Sequence, residues 1–402
     1  MSYSLVQLST VADVFNGKTP SKAQQRDKGF PVLKIKDVSA KRKFRGHFES
    51  FVDESVAFKS KDKFLKLNDT LILNAAHNAS HVGSKQYRAE IEVVGSLPTG
   101  EWLIARTKDE KSLDSVYLSF YLRSDFVRHQ ISLLVKGIHL YPKDVARLNI
   151  PLPPLETQKQ IAAVLEKADQ LRKDCQQMEQ ELNSLAHSVF IDMFGDPVTN
   201  PKGWELESLG ALCDFENGDR SSNYPSKGDI TETGKLFLSS ADIGMGDFQI
   251  KSSKFISQEK FDSLSRGKCQ TGDVLMTLRG NGLGRCCVFD CEYDEGFINA
   301  QMVIIRPDAK KCSSRFLVEQ LNCKPIFNQL LRLTSGSAQP QFSAADVKGF
   351  QVLIPPLSEQ KKYHKVVDRI KRDVLRLRTQ YYDYENLFSS LMQKAFKGEL
   401  NL

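Results

Sequence analysis

No stretch of this sequence approaches the roughly 18 to 20 consecutive apolar residues that a bilayer-spanning helix needs, so a helical membrane protein is excluded. The opening MSYSLVQLSTVADVF lacks the basic segment and apolar run of a secretory signal, and the expectation is an unprocessed, cytoplasmic protein. The first cysteine is Cys175, and the others, Cys213, Cys269, Cys286, Cys287, Cys291, Cys312 and Cys323, all lie in the second half. A zinc site would need paired cysteines or histidines, yet His364 is the single histidine beyond residue 200, so these thiols are expected to be reduced and buried as small hydrophobes. Motifs of catalysis are missing as well. There is no phosphate-binding G-x4-GK[ST], no HExxH, no GxSxG, no paired CxxC and no NPPY-type tetrapeptide of an adenine methyltransferase. Scattered acids such as Asp53, Glu54, Asp242 and Asp247 have no spacing that would mark a metal-dependent nuclease.

What is present is an ordinary globular composition, 41% hydrophobic and 26% charged, with Lys and Arg outnumbering Asp and Glu by 56 to 49. A net charge of +7 is compatible with a polyanion partner, because a basic surface attracts phosphates before specific contacts form. The dominant feature is an internal repeat. PPLETQKQI at 153–161 matches PPLSEQKKY at 355–363, LSTVADVFNG from Leu8 matches LGALCDFENG from Leu209, and LNDTLIL from Leu67 matches TGDVLMT from Thr271. Duplicated halves that do not share their cysteines argue against a disulfide framework.

After each double proline the apolar residues recur at spacings of three and four, the seam of a coiled coil. In the first copy the seam runs Ile161, Val164, Ala168, Leu171, Cys175, Met178, Leu182, Leu185 and Val189. In the second it runs Tyr363, Val367, Ile370, Val374, Leu377, Tyr381, Tyr384, Phe388, Leu391 and Ala395. Such a narrow stripe suits one helix lying along another, so the two helices are expected to pair antiparallel and hold two globular parts apart; docking of the seams onto another chain is the competing role. Gln158 to Ser184 is a shorter interval than Gln360 to Ser390, which predicts a second helix about one turn longer than the first. The globular parts, with strand-like runs such as FPVLKI, DTLILN, KLFLSS and DVLMTL, each end in a helical stretch (SVYLSFYLRSDFVRHQISLL and RFLVEQLNCKPIFNQLLRL). The expected fold is α+β, two mixed α/β domains at 1–152 and 201–354, with long helices at 153–200 and 355–402 forming an antiparallel coiled coil with pseudo-two-fold symmetry.

Binding chemistry sits in the loops. Lys41, Arg42, Lys43, Arg45 and His47, interleaved with Phe44 and Phe48, form a basic cluster suited to phosphates. Lys136, His139, Tyr141 and Lys143 follow the first short helical stretch, and Ser335, Ser337, Gln339 and Gln341 follow the second. Side chains with donors and acceptors suit base edges in the major groove, and lysines suit the backbone. Gly280 to Gly284 faintly resembles a nucleotide-binding loop, but a second strand-like run follows it where a helix N-terminus is needed, so it is expected to be a hairpin turn. Its Arg279, Asn281 and Arg285 could grip guanine and adenine, and Asn78 to Gly83 stands at the comparable place in the first half.

Two globular parts alternating with PPLETQ and PPLSEQ helices, together with Gly272-Asp273 and the SGSAQ loop from Ser335, resemble the specificity subunit of a Type I restriction-modification system across essentially the whole chain. The resemblance implies two target recognition domains, each reading one half of a split sequence in double-stranded DNA. It implies helices that set the gap and dock two modification (methyltransferase) subunits, with Leu171, Met178, Leu182, Ile370, Leu377 and Tyr384 on the seam, and a chain that is not itself an enzyme. It holds no cofactor under this reading; S-adenosylmethionine, ATP and magnesium belong to the modification subunits and to restriction (translocase and nuclease) subunits. The alternatives are a non-catalytic scaffold, or a specificity subunit of a methylation-only or fixed-distance cleavage system. Departures from an exact repeat are Asn68 in place of Gly272, and Lys136-Gly137-Ile138-His139 in place of Ser335-Gly336-Ser337-Ala338.

Overall fold

The computed structural model describes residues 3–246, 248, 254–280, 282–334 and 340–400. Asn281, Ser335, Ser337 and Gln339 fall outside them. The chain divides into two compact units, Met1–Gln177 with Arg378–Leu402, and Met178–Leu377. Among the described residues no helix is long and apolar enough to cross a membrane.

The first unit is built on a four-stranded antiparallel sheet of β1 (Ala12–Asn16), β2 (Thr70–Leu73), β3 (Gln86–Arg88) and β4 (Trp102–Thr107), in the order β1-β4-β2-β3. A second sheet contains one parallel pair, Phe30–Leu33 beside Leu97–Pro98. Next come α1 (Ser115–Arg123) and α2 (Asp125–Leu134), and the pairing of Leu5–Gln7 with Asn149–Pro151 brings the ends of the domain together. Long helix α3 (Leu155–Phe194) then begins.

The second unit repeats this plan. Strands β5 (Cys213–Asn217), β6 (Val274–Thr277), β7 (Cys286–Val288) and β8 (Met302–Pro307) form a sheet in the corresponding order β5-β8-β6-β7. Its second sheet has the matching parallel pair, Lys235–Leu238 beside Glu295–Ile298. Helices α4 (Ser314–Asn322) and α5 (Lys324–Leu331) follow, Leu206–Ser208 pairs with Gln351–Leu353, and α6 (Leu357–Lys397) is the second long helix.

The single helical stretch expected before each long helix is therefore two helices. Ser124 breaks the first: its backbone is extended, its hydroxyl donates to the Tyr121 carbonyl at 2.7 Å and its oxygen caps α2 by accepting from Val127 N. In the second copy Pro325 forces the break, since it fits only the first turn of α5.

Asn68 and Gly272 turn out to be equivalent. Both have left-handed backbones, φ 65° and 93°, in the turn before β2 or β6, and asparagine is the non-glycine residue that best tolerates this region. The following aspartate closes the turn in each copy, Asp69 accepting from Lys66 N at 2.8 Å and Asp273 from Gln270 N at 2.9 Å. Each aspartate is then gripped by an arginine of the neighbouring strand, Arg106 or Arg306.

Both long helices belong to the domain cores. In the first unit Ile161, Ala162, Leu165 and Ala168 of α3 share a buried cluster with Tyr117 and Tyr121 of α1 and with Phe388, Met392 and Ala395 of α6. In the second, Phe190 and Phe194 of α3 meet Phe316 of α4 and Tyr363 of α6, with ring centroids 4.9 to 5.8 Å apart. In each unit the early part of one helix meets the late part of the other, so the pairing is antiparallel. The expectation of a stripe too narrow for a globular core fails at Ala162, Leu165, Phe190 and Phe194, which widen it where a domain packs on.

The seam of α6 is as spaced: Tyr363, Val367, Ile370, Val374, Leu377, Phe388 and Ala395 are buried, and Tyr384 is half-buried. That of α3 holds at Ile161, Val164, Ala168, Leu171, Cys175, Leu182 and Val189, which are buried or half-buried, and departs from the spacing at two positions. Met178 and Leu185 are 50% and 47% exposed, while Arg172, Glu179 and Ala186 are half-buried in line with Cys175 and Leu182. Apolar spacing could not find Arg172 there because it is charged. Arg172 is tolerated there since Asp169 and Glu385 pair with it and its guanidinium lies 4.3 Å from the Phe388 ring centroid.

The helices have 40 and 41 residues, which overturns the predicted extra turn. The serines used for that prediction are not equivalent. The true stops are Gly195 and Gly398, at φ 80° and 74°, which end the helices in the left-handed conformation a side chain would strain.

The glutamine that follows each PPL motif anchors the helix. Gln158 and Gln360 are fully buried and staple each helix to its domain. Gln158 accepts from Asp114 N at 2.9 Å and donates to the Ser112 and Pro153 carbonyls at 3.0 and 2.8 Å. Gln360 accepts from Ser313 N at 3.0 Å and donates to the Lys311 and Pro355 carbonyls at 2.8 and 2.9 Å. Since Asp114 and Ser313 are the N-caps of α1 and α4, one amide locks the start of the short helix to the start of the long one.

Candidate nucleic-acid interface

Antiparallel pairing places the ends of β1 and β2 and the start of β4 at one edge of the first sheet, and the ends of β5 and β6 and the start of β8 at the same edge of the second. In both units the loop after the short helices is sewn to this edge by one bridge, Ala75 to His139 and Arg279 to Gln341. The frame is common and its side chains are not.

In the first unit the edge is held by a buried amide. Asn74 donates through Nδ2 to Asn16 Oδ1 and the Gly100 carbonyl, both at 2.9 Å. Lys63 ties down the same turn through the Asn16 carbonyl at 2.8 Å. Lys136 and His139 exchange backbone hydrogen bonds, and Lys136 Nζ is 2.7 Å from Asp144. That ammonium beside Asp144, through its hydrogen bond, holds the carboxyl below its usual range. Lys136 therefore also braces the loop, while His139, Tyr141 and Lys143 are exposed on it. Asn78 accepts from the Ser80 amide and hydroxyl, both at 3.0 Å, shaping its own exposed turn.

Lys41, Arg42, Lys43 and Arg45 lie on a separate hairpin closed by the Val38 to Phe44 bridge. Phe44 and Phe48, expected to stand among the cations, turn inward, 4.8 Å apart, and pack against the core around Leu33, Leu71 and Trp102. Their apolar rings anchor the hairpin and leave Lys41, Lys43 and Arg45 outward.

The second unit's edge carries a cleft of about 280 Å³ lined by Asn217, Arg220, Arg266, Arg279, Phe342 and Ser343. Three arginines converge there, and among the described residues none of them pairs with a carboxylate. Asp219, almost fully buried, positions two of them. Its Oδ1 accepts from Ser221 N at 2.6 Å, and its Oδ2 from the amide and hydroxyl of Ser265 at 3.2 and 3.1 Å. The Ser221 amide leads in holding its carboxyl down at about 2, so a permanent anion ties the loop of Arg220 to that of Arg266. Sequence reasoning found Arg279 and missed Arg220 and Arg266, which are distant along the chain and brought together by Asp219. The one hint was position: Asp219-Arg220 directly follows the LGALCDFENG segment of the repeat.

The glycine loop is a hairpin turn between β6 and β7, as expected, with Gly280, Gly282 and Gly284 all at positive φ. Exposed Arg285 lies across Gly282, where an added Cβ would meet its side chain at 3.3 Å. Seven of the eight cysteines are buried and Cys291 is half-buried, with Cys213, Cys269, Cys286, Cys287 and Cys312 packed in the second unit's cores: burial pushes the Cys213 and Cys312 thiols up to about 12 and the Cys323 thiol to about 11. A neutral thiol in such a place is an apolar filler.

The family model described as Type I restriction modification DNA specificity domain matches twice, over residues 2–184 and 201–381. The StySPI specificity subunit of Salmonella potsdam, a Type I restriction enzyme component, is 26% identical over 99% of this chain and 89% of its own length. The MjaVIII specificity subunit of Methanocaldococcus jannaschii is 22% identical, over 88% of this chain and 84% of its own. In fold, the chain is similar to the S subunit of a Type I restriction-modification system from M. genitalium (14% identity, TM-score 0.59, 98% and 96% of the two chains covered). A chain solved in work on assembly and conformational transition of the type I R-M system is similar to the same degree (19% identity, TM-score 0.59, 99% and 98% covered).

Proposed function

Since the chain belongs to the Type I restriction modification DNA specificity family, we propose that it is the reader of such a complex, each unit recognising one half of a bipartite target in double-stranded DNA. One observation carries this reading: the same sheet edge, closed by the same bridge, presents different side chains in the two copies. Ala75, His139 and Tyr141 stand in one, and Arg279, Gln341 and Ser343 in the other. A shared frame with exchanged tips is what two readers of different half-sites require.

Within the second unit, Arg279 and Gln341 offer bidentate donors and acceptors to a base edge, and Arg220 and Arg266 bring uncompensated charge for the backbone. Within the first, His139, Tyr141 and Asn78 are the candidates for base contact and Lys143 for phosphate. We assign methyl transfer, with its S-adenosylmethionine, to two modification subunits, and ATP-driven translocation and cleavage with magnesium to restriction subunits, all in the cytoplasm. Solvent-exposed Met178 and Leu185 of α3 and Leu375 and Tyr382 of α6 support helix docking of these partners, since large apolar side chains on a paired helix favour a further contact.

The test is to map methylated adenines across the host genome with and without this gene. A bipartite motif with a non-specific gap that vanishes on deletion is expected, and Arg279→Gln should relax one position of one half-site by about 1 to 3 kcal/mol. A genome whose methylation is indifferent to the gene would remove the reading.

A further inference from the structure

The first unit contains a second cationic cleft, away from the sheet edge. It has a volume of about 390 Å³ and lies between the Val38 to Phe44 hairpin, β3, the end of α1 and the two long helices. Six cations line it, Lys41, Arg42, Arg88, Arg123, Arg172 and Lys173, against four carboxylates.

Most of the acid is already engaged. Glu166 pairs with Arg88 at 2.7 Å, Glu385 accepts twice from Arg172, and buried Asp169 takes Arg123 at 3.2 Å, Lys173 at 3.1 Å and Arg172. Lys41 and Arg42 have no ion-pair partner among the described residues. Two buried N–H groups on the lining, Arg88 Nη1 and Arg172 Nε, also find no acceptor. An arrangement with surplus positive charge and unused donors is short of an anion.

Arg42 is the most informative residue in it. Its φ is 60°, a left-handed conformation that costs a non-glycine residue on the order of 1 kcal/mol. The turn imposes it: Arg42 N donates to the Ser39 carbonyl at 3.0 Å, and Ser39 N to the Lys43 carbonyl at 2.8 Å. A glycine would sit there without strain, yet an arginine does, and its guanidinium is half-buried in the cleft. Burial, and then the positive charge of Arg123, Arg128 and Arg172, lower its pKa to about 10, so the cation stands in a setting that an anion would relieve.

We propose that this cleft seats a phosphodiester of the DNA backbone, with Arg42 as its central contact and Lys41 and Lys173 at its mouth. The inference rests on the DNA-reading function above and adds a sequence-independent contact to it. A phosphate is favoured over a base edge because point charges and N–H donors dominate the lining. It is favoured over a partner's carboxylate because the hairpin bearing Arg42 also turns Lys41, Lys43 and Arg45 outward, a spread of cations matched to a repeating charge rather than to a single acid.

The experiment measures affinity of the full chain for a random-sequence 40-base-pair duplex by fluorescence anisotropy between 50 and 200 mM KCl. Arg42→Gly keeps the left-handed turn while removing the cation, and Arg42→Lys keeps the charge. Loss of one phosphate contact should flatten the slope of log affinity against log salt by about 0.9, so the loss of affinity across that salt range shrinks by about 3.5-fold. The lysine variant should retain most of the wild-type slope. If the wild type binds the duplex and Arg42→Gly binds with the same slope, the cleft proposal fails while the DNA-reading function stands. If that slope is unchanged but association with a methyltransferase subunit weakens, the cleft holds a partner's acid and the proposal is likewise overturned. A wild type that binds no duplex would remove the DNA-reading function itself, and this inference with it.

Discussion

Replacing Gln360 with alanine should unfasten α6 from the second unit. The side chain is fully buried and makes three hydrogen bonds, to Ser313 N and to the Lys311 and Pro355 carbonyls. Each such bond contributes about 1 kcal/mol net, but truncation also leaves the buried Pro355 carbonyl and the part-buried Ser313 N–H and Lys311 carbonyl without partners, and each of these costs about 1 to 3 kcal/mol if no water replaces the amide. Partial rehydration brings the expected loss to about 3 to 5 kcal/mol. Gln360→Glu should be no better: the new oxygen would face two carbonyls that need donors. At a urea dependence of about 2 to 3 kcal/mol per molar for a unit of this size, the alanine variant's midpoint should fall by about 1 to 2 M. The protein contains two tryptophans, Trp102 in the first unit and Trp204 in the second, where the Trp204 indole donates to the Phe194 carbonyl at 3.0 Å. In a Trp102→Phe background Trp204 alone reports, and the shift should appear there; Gln158→Ala in a Trp204→Phe background should give the mirror result at Trp102. A midpoint that moves by less than about 0.3 M would refute the reasoning, because it would mean that water serves these groups as well as the amide does.

Three further outcomes follow from the packing. Asp169→Asn should cost the first unit about 3 to 5 kcal/mol, read by urea unfolding, because it strips the buried partner from Arg123 and Arg172. Burial alone would raise the Asp169 carboxyl, but Arg123, Lys173 and Arg172 outweigh it and hold it far below the usual range. Its folded value being depressed, the stabilisation is complete above about pH 4 and is lost as pH falls further toward that value, so the wild type should lose stability below about pH 4 and the asparagine variant should lose less. Leu377→Asp, at a buried seam position, should lower the thermal midpoint of the second unit by an amount corresponding to 3 kcal/mol or more, roughly, whereas Met178→Asp should stay within about 0.5 kcal/mol. Equal effects would restore the seam drawn from apolar spacing. Asn68→Gly should leave stability within about 0.5 kcal/mol of wild type and Asn68→Val should cost about 1 to 2 kcal/mol by denaturation, since only the β-branched side chain is strained at φ 65°.

The repeat, the strand-rich halves and the long helices were legible because they rest on periodicity and on offsets between matching segments, which are properties of the chain in one dimension. The seam of α6 was legible for the same reason. That of α3 was legible except at Met178 and Leu185, and it missed Arg172, because only the pairing with Glu385, far along the chain, makes a charge tolerable there. Arg279 was found on its glycine hairpin, while Arg220 and Arg266 depended on Asp219, whose bonds to Ser221 and Ser265 no spacing rule encodes. Phe44 and Phe48 were misplaced because a hydrophobic residue between cations reads alike whether it faces DNA or the core. Arg42 was named for its charge alone. Its left-handed backbone and its burial against the helices belong to three dimensions.

That each unit takes half of each long helix also fixes an order of events during synthesis. The first unit's core includes Phe388, Met392 and Ala395, so its globular part is translated first and then waits for a segment that emerges after the whole second unit has been made. At roughly 5 to 20 residues per second the wait lasts on the order of 10 to 45 s, during which Leu165, Ala168 and the tyrosines of α1 lack their cover. The second unit needs nothing beyond Leu377 and closes sooner. The half that begins first is finished last, and a nascent chain interrupted late would carry one sealed domain beside one that is open.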